Sequence, residues 1–270
     1  MTNFNYTGLL TCSHYAFPPN SLHYCGPEKQ NNLIGYQQEQ IADQGLVEII
    51  RDFQTLYPYL RLIAFENNIE DPFDPRVVEA YWIGNNLLNN VSMKNFNIHL
   101  TNSLGLKKKI KKKDLDLLIG KIPQGAFPHH TFHVLNVFTR TGHHTVEHTL
   151  ETMDSCRISW GKIVQESWNI KHGTKHLRHP ELLLAQASVS GSILVETQPL
   201  SLENGKLALG KSAIKEIKIP YSLTANSQKL KTNSLISFHW NTFCDVITTH
   251  QAKQLEYFTK QALLLANTTL

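Results

Sequence analysis

Cys156 opens the run Cys156-Arg-Ile-Ser-Trp-Gly161-Lys-Ile-Val164, in which a cysteine heads a strand and a glycine five positions on lets the backbone turn beneath the thiol. A second strand, Ser234-Leu-Ile-Ser-Phe-His239, ends its alternation on a histidine. Thiolate and imidazole suit soft and borderline metals, so two such strands side by side predict a metal fragment held by Cys156 and His239. Two protein ligands leave positions open, whereas a structural zinc site uses four. The same residue types have plainer uses: a cysteine as a small buried hydrophobe, a strand-end histidine as a core or rim residue bonded to backbone.

A second candidate site rests on the distribution of the 14 histidines. Pro128-His129-His130-Thr-Phe-His133 alternates as a strand, and on a regular strand His129 and His133 share a face while His130 takes the other. His144 and His148 stand one helical turn apart with Glu147 between them, but the glutamate does not follow the first histidine as it does in zinc hydrolases. The loop Tyr24-Cys25-Gly26-Pro27 adds a cysteine. Cys25, His129, His130, His133, His144 and His148 together describe a metal-dependent or Cys/His-dependent enzyme of unspecified substrate, with its site between a helical domain and the 129–133 strand. Surface or capping roles for the histidines and a turn at Cys25 are the competing readings. No Gly-x-Ser-x-Gly elbow, phosphate-binding Gly-x4-Gly-Lys-Ser/Thr or Gly-x-Gly-x-x-Gly is present, which removes the commonest hydrolase and nucleotide-binding chemistries.

The elements that must position these residues fall in two halves. At 270 residues, 41% hydrophobic and 18% charged, the chain reads as a globular protein of two modest domains. Residues 1–29 are rich in proline and glycine around Phe17-Pro-Pro and Cys25-Gly-Pro27 and read as a loop segment. Residues 30–120 read as a helical domain. Ala42, Leu46, Ile49, Ile50, Phe53 and Leu56 form one helical stripe stopped by Pro58, and Asp74 with Pro75 starts another helix. The excess of 26 basic over 22 acidic residues gathers in Leu106-Lys-Lys-Lys-Ile110-Lys-Lys-Lys-Asp114. Leu106, Ile110, Leu117 and Leu118 keep a helical period through it, so these lysines form a solvated helix face rather than a nucleic-acid surface.

Residues 121–270 turn to period two. A helix from His144 to Met153, strands over 157–168 and 192–199, an Asn204-Gly205 hairpin, the strand ending at His239 and a closing helix capped by Thr248 and Gln251 give an α+β chain. Its second half reads as a small antiparallel β-barrel closed by that helix. Cysteines at 12, 25, 156 and 244 form no disulfide framework and, with neither a signal segment nor an apolar run of membrane-spanning length, predict a cytosolic protein without membrane contact.

The order Cys-x4-Gly-Lys-Ile-Val, short strand, hairpin, strand ending in His, then a helix with Gln-Ala-x-x-Leu, over residues 154–266, resembles the hydrogenase-assembly chaperones of the HypC type. That resemblance implies an accessory factor for nickel-iron hydrogenase, with an iron fragment bearing cyanide and carbon monoxide as cargo. The partners implied are the hydrogenase large subunit and the maturation proteins, the essential cysteine falls on Cys156, and the strand-end histidine on His239. Such a carrier presents its thiol to solvent, with Arg157 and Lys162 favouring the ionised form. The sequence departs from that family at three points: Cys156 is internal, Trp160 and Trp240 replace its proline and glycine, and an insertion at 169–180 brings His172, His176 and His179. The whole chain is similar to an uncharacterised bacterial family that shares the Tyr-Cys-Gly-Pro loop and the Asp-Pro-Phe-Asp-Pro-Arg helix start.

Overall fold

The computed structural model describes residues 6–141, 148–167, 189–220 and 230–269. The chain is mixed α+β, helical as far as Cys156 and strand-rich from there to one long final helix. Among the described residues no helix is long and apolar enough to cross a membrane.

Local chemistry sets several helix starts. In α3 (Gln44–Arg51) the Asp43 carboxylate accepts from the Gly45 and Leu46 N–H groups, and Leu46, Val47, Ile49 and Ile50 are buried. Asp74 and Pro75 open α5 (Pro75–Trp82) as the sequence predicts. Pro58 lies in the first turn of α4 (Leu56–Glu66), where a missing N–H costs nothing, so it begins a helix rather than ending one.

The N-terminal segment corrects the loop expected at residues 1–29. Tyr6–Ser21 is a helix, α1, with Pro18 and Pro19 inside its last turn. Leu9, Cys12 to Phe17 and Asn20 are buried, and tertiary packing of this kind overrides local propensity. Proline 19 has no N–H to give the Tyr15 carbonyl four residues back, and that carbonyl becomes an acceptor for the rest of the fold. A loop leads to α2 (Gln30–Glu39).

The lysine-rich stretch is two helices rather than one. After α6 (Met93–Ile98) and a π-helical turn (His99–Ser103), α7 (Leu106–Lys109) breaks at extended Ile110 before α8 (Lys112–Ile119). The six lysines are exposed all the same.

The strand expected at 128–138 is helical: α9 (His130–Phe132), a π-helical turn (His133–Val137) and α10 (Phe138–Thr141). Residues 128–137 are all buried, so what reads as alternation is a segment covered on every side. Cys156 likewise ends a helix, α11 (Leu150–Cys156), rather than heading a strand.

The strands are β1 (Ser159–Ser167), β2 (Val189–Thr197), β3 (Leu200–Glu203), β4 (Lys206–Leu209), β5 (Ala213–Pro220), β6 (Leu235–His239) and β7 (Thr242–Val246). Asn204 and Gly205, at φ 52° and 76°, join β3 to β4 in the expected hairpin. The strand ending at His239 is not the last. β7 follows it through Trp240 and Asn241, both at positive φ, a tight turn that a sequence without glycine there conceals.

Strands β1, β2, β5, β7 and β6 pair in that order and β6 returns to β1, so the sheet closes on itself around Ile163, Ile193, Val195, Ile217, Ile219, Ile236, Phe238 and Phe243. The described contact of β5 with β7 is one parallel bridge, Lys218 with Thr242. Thr248 and Gln251 cap the final helix, α12 (Thr249–Ala266), in the predicted box. A second, larger apolar core runs from Leu9 in α1 through α11 and β3 to Ala266 in α12, tying the helical part to the outside of the sheet.

Candidate metal centre

Three segments far apart in sequence meet where α1, α5, α11 and β6 converge. His130 begins α9, Cys156 ends α11, and His239 ends β6. One potential ligand atom of each lies within 4.8 Å of the others. All three side chains are buried.

Backbone carbonyls fix the state of both imidazoles. His239 Nδ1 lies 2.8 Å from the Tyr15 carbonyl, the one that Pro19 leaves without a helical donor. A carbonyl only accepts, so Nδ1 carries the proton and Nε2 carries the lone pair. Tyr15 also holds β6 through its hydroxyl, 2.7 Å from Ser237 Oγ. His130 donates from Nε2 to the Cys156 carbonyl at 2.9 Å, which leaves Nδ1 as its acceptor, met by the Tyr81 hydroxyl at 3.1 Å. A histidine that donates one N–H to a backbone carbonyl and keeps the other nitrogen basic is the form metal-binding imidazoles take. Burial, with His239 as neighbour, holds His130 well below the usual histidine range, so it stays neutral.

The walls are aromatic. Trp82 stacks on Tyr15 and lies 4.6 Å from the His130 ring and 5.9 Å from His239, while His130 and His239 meet edge to face at 5.2 Å. A cavity of about 30 Å³ lies among Cys25, Tyr81, His130, His133, Cys156 and His239. That exceeds the roughly 10–15 Å³ needed to admit one water molecule.

Cys156 departs from expectation. Its residue is 4% exposed, not presented to solvent. Burial pushes the thiol up, the neighbouring Cys25 raises it further, and the Trp240 indole N–H beside the sulfur pulls the other way. Arg157 does not ionise it: that guanidinium is buried against Asp154 at 2.9 Å, and the same carboxylate takes the Leu200 N–H at 2.8 Å and the Lys215 ammonium. A thiol at a helix C-terminus also meets the negative end of the dipole. Lys162 pairs with Glu196 instead. Gly161 makes no turn beneath the sulfur; it lies within β1, where a Cβ would come 2.4 Å from the Glu196 carbonyl.

The second expected group divides. Cys25, His130 and His133 reach the same cavity as Cys156 and His239, so two candidate sites become one. His133 Nδ1 bonds the Tyr59 hydroxyl at 3.1 Å. His129 stays apart as the cap of α9, accepting from the Thr131 N–H and stacking on Phe258, and burial lowers its pKa to about 3. His148 is half-buried and does not line the cavity. His144, like His172, His176 and His179, lies outside the described residues. Reasoning from sequence missed Tyr81 and assigned His130 to a separate face, because a buried helix segment was taken for a strand.

Family comparison spans both parts of this arrangement, with a match over residues 5–188 and 184–270. The chain belongs to DUF6390, a family of unknown function. The DUF6390 match agrees with the whole-chain resemblance to a family without assigned activity, and it lends nothing to the likeness to hydrogenase chaperones. No curated protein and no solved structure matches the chain.

Proposed function

We propose that this DUF6390 chain is a metal-binding protein that keeps a borderline transition metal, zinc(II) before others, in its interior on Cys156, His130 and His239. The observation that carries this reading is the convergence of one sulfur and two nitrogen donors within 4.8 Å. Nitrogen and sulfur donors in a small, aromatic-walled space suit zinc or copper and do not suit magnesium or calcium, which take oxygen. Bound there, a metal joins α9, α11 and β6, and so the helical part to the closed sheet.

The size of the cavity bears on the role. At about 30 Å³ the cavity is small, and small ligands such as water fit it better than an extended organic molecule. An enzyme using Cys25, His130 and His133 gains their shared cavity, whose small size favours a resident ion over an organic reactant. A carrier of an iron-cyanide-carbonyl fragment must release its cargo from an accessible thiol, which buried Cys156 does not offer; that role rests on the sequence resemblance alone. We read the metal as resident rather than in transit. A reducing, cytosolic setting goes with this reading, since a thiol must stay reduced to bind metal.

Equilibrium dialysis of chelator-treated protein against zinc(II) tests it. The wild type takes up one metal ion per chain, while Cys156→Ala, His130→Ala and His239→Ala each lose binding at the same free zinc. Uptake unchanged in all three variants would remove the site proposed here.

A further inference from the structure

Cys25 sits on the loop between α1 and α2, held from beneath by Asn20, whose Nδ2 donates to the carbonyls of Cys25 at 2.8 Å and Pro27 at 2.7 Å. Its neighbour Tyr24 packs on Trp240, ring to ring at 4.6 Å, and so ties this loop to the residue that covers Cys156. As a residue Cys25 is only half-buried, yet burial pushes its thiol up to about 11. Surface backbone and shielded sulfur together mean that the side chain points inward, into the cavity that Cys156, His130 and His239 also line. Cys25 is near enough to disfavour ionisation of Cys156, although its sulfur lies outside the group of three ligand atoms that fall within 4.8 Å of one another, so it must move in to join them.

Charge balance gives that proximity a meaning. A divalent cation on one thiolate and two neutral imidazoles leaves a net positive charge in an aromatic, almost dry space. An uncompensated buried charge is among the costliest things a protein can hold. A second thiolate cancels it.

Resting on the metal-binding reading above, we infer that Cys25 is the fourth ligand, and that the centre is a closed bis-thiolate, bis-imidazole site for a divalent cation, completed by the loop between α1 and α2. On binding, two S–H bonds break and two protons pass to solvent, while two metal–sulfur and two metal–nitrogen bonds form; no electrons are exchanged. Tetrahedral closure with four protein ligands is the arrangement zinc adopts in structural sites.

Cobalt(II) serves as the probe, read by proton release at pH 7 and by the near-ultraviolet thiolate-to-cobalt absorption. Wild type releases two protons per cobalt. Cys25→Ser releases one, shows about half the charge-transfer absorption, and binds more weakly by at least the roughly 100-fold that bounds outer-shell substitutions. Cys25→Asp supplies a negative charge without sulfur, so it recovers affinity relative to the serine variant while its absorption stays halved. A wild type that releases one proton, with absorption and affinity unchanged in Cys25→Ser, overturns the fourth ligand and leaves the three-ligand centre standing. Absence of any cobalt or zinc binding by wild type overturns both.

Discussion

At the scale of the residue, Tyr81 competes for the one nitrogen that His130 can offer. Its hydroxyl donates to Nδ1, and a metal must displace it. A net hydrogen bond contributes about 1 kcal/mol, so Tyr81→Phe tightens zinc binding about 5-fold, measured by competition with a chromophoric chelator. Weaker binding in that variant would mean that the hydroxyl supports the bound state. Buried neutral histidines make the metal-free protein sensitive to acid. In the unfolded chain they take up protons near 6.5, while the folded chain holds His14 neutral to about 4 and His99 and His129 to about 3. Below 6.5 the unfolded state binds more protons, so stability present at neutral pH is lost as pH falls toward those folded values. Each group adds a slope approaching about 1.4 kcal/mol per pH unit. Denaturant titrations of chelator-treated protein should show this, and a constant midpoint from neutrality to pH 5 would contradict it. That Cys156 and His239 would lie close together was legible in sequence, because thiol and imidazole stood out by type at the ends of their elements. The covering of that thiol was not, since it depends on Trp240 and on a loop more than a hundred positions upstream.

At the scale of the element, the β6–β7 turn carries the strain. Trp240 holds φ at 50°, an unusual value for a bulky side chain, and its N–H bonds the Ser155 carbonyl at 2.8 Å, pinning the end of α11. Trp240→Gly relieves a backbone cost of about 1 kcal/mol and uncovers the sulfur, so Cys156 reacts faster with a thiol-labelling reagent. Labelling at the wild-type rate would show that the indole is not the cover. Asp154 joins α11 to β3 and β5 by accepting from Arg157, Leu200 and Lys215. Asp154→Ala leaves Arg157 buried without its counter-charge and lowers stability by roughly 3 kcal/mol or more, read from thermal melting. Starts written in local chemistry were readable in advance: Asp74-Pro75, Asn204-Gly205, Thr248 with Gln251. Elements decided by burial were not, and both α1, with two prolines, and the all-buried 128–138 segment took the form their neighbours imposed.

At the scale of the whole molecule, the order of a helix-rich part before a strand-rich part was readable, but neither the boundary, expected at 121 where helices in fact continue to Cys156, nor the shared core was. Contacts such as Tyr15 with Ser237 join residues over two hundred positions apart, and no local pattern announces them. A metal bound only by the folded chain stabilises it by about 4 kcal/mol at a thousand times its dissociation constant, and raises the melting temperature by roughly 10 °C. Scanning calorimetry with zinc and then with excess chelator checks this; a melt indifferent to both would argue against a tie between the two parts. Among the described residues a single bridge joins β5 to β7, Lys218 with Thr242, which makes that flank of the ring a zip with one tooth. Amides there should take up deuterium first, and once parted the flank bares two ladders of unsatisfied backbone groups. A flank that opens there is also where a second chain could lend a strand, so concentration as well as heat should tell on this edge.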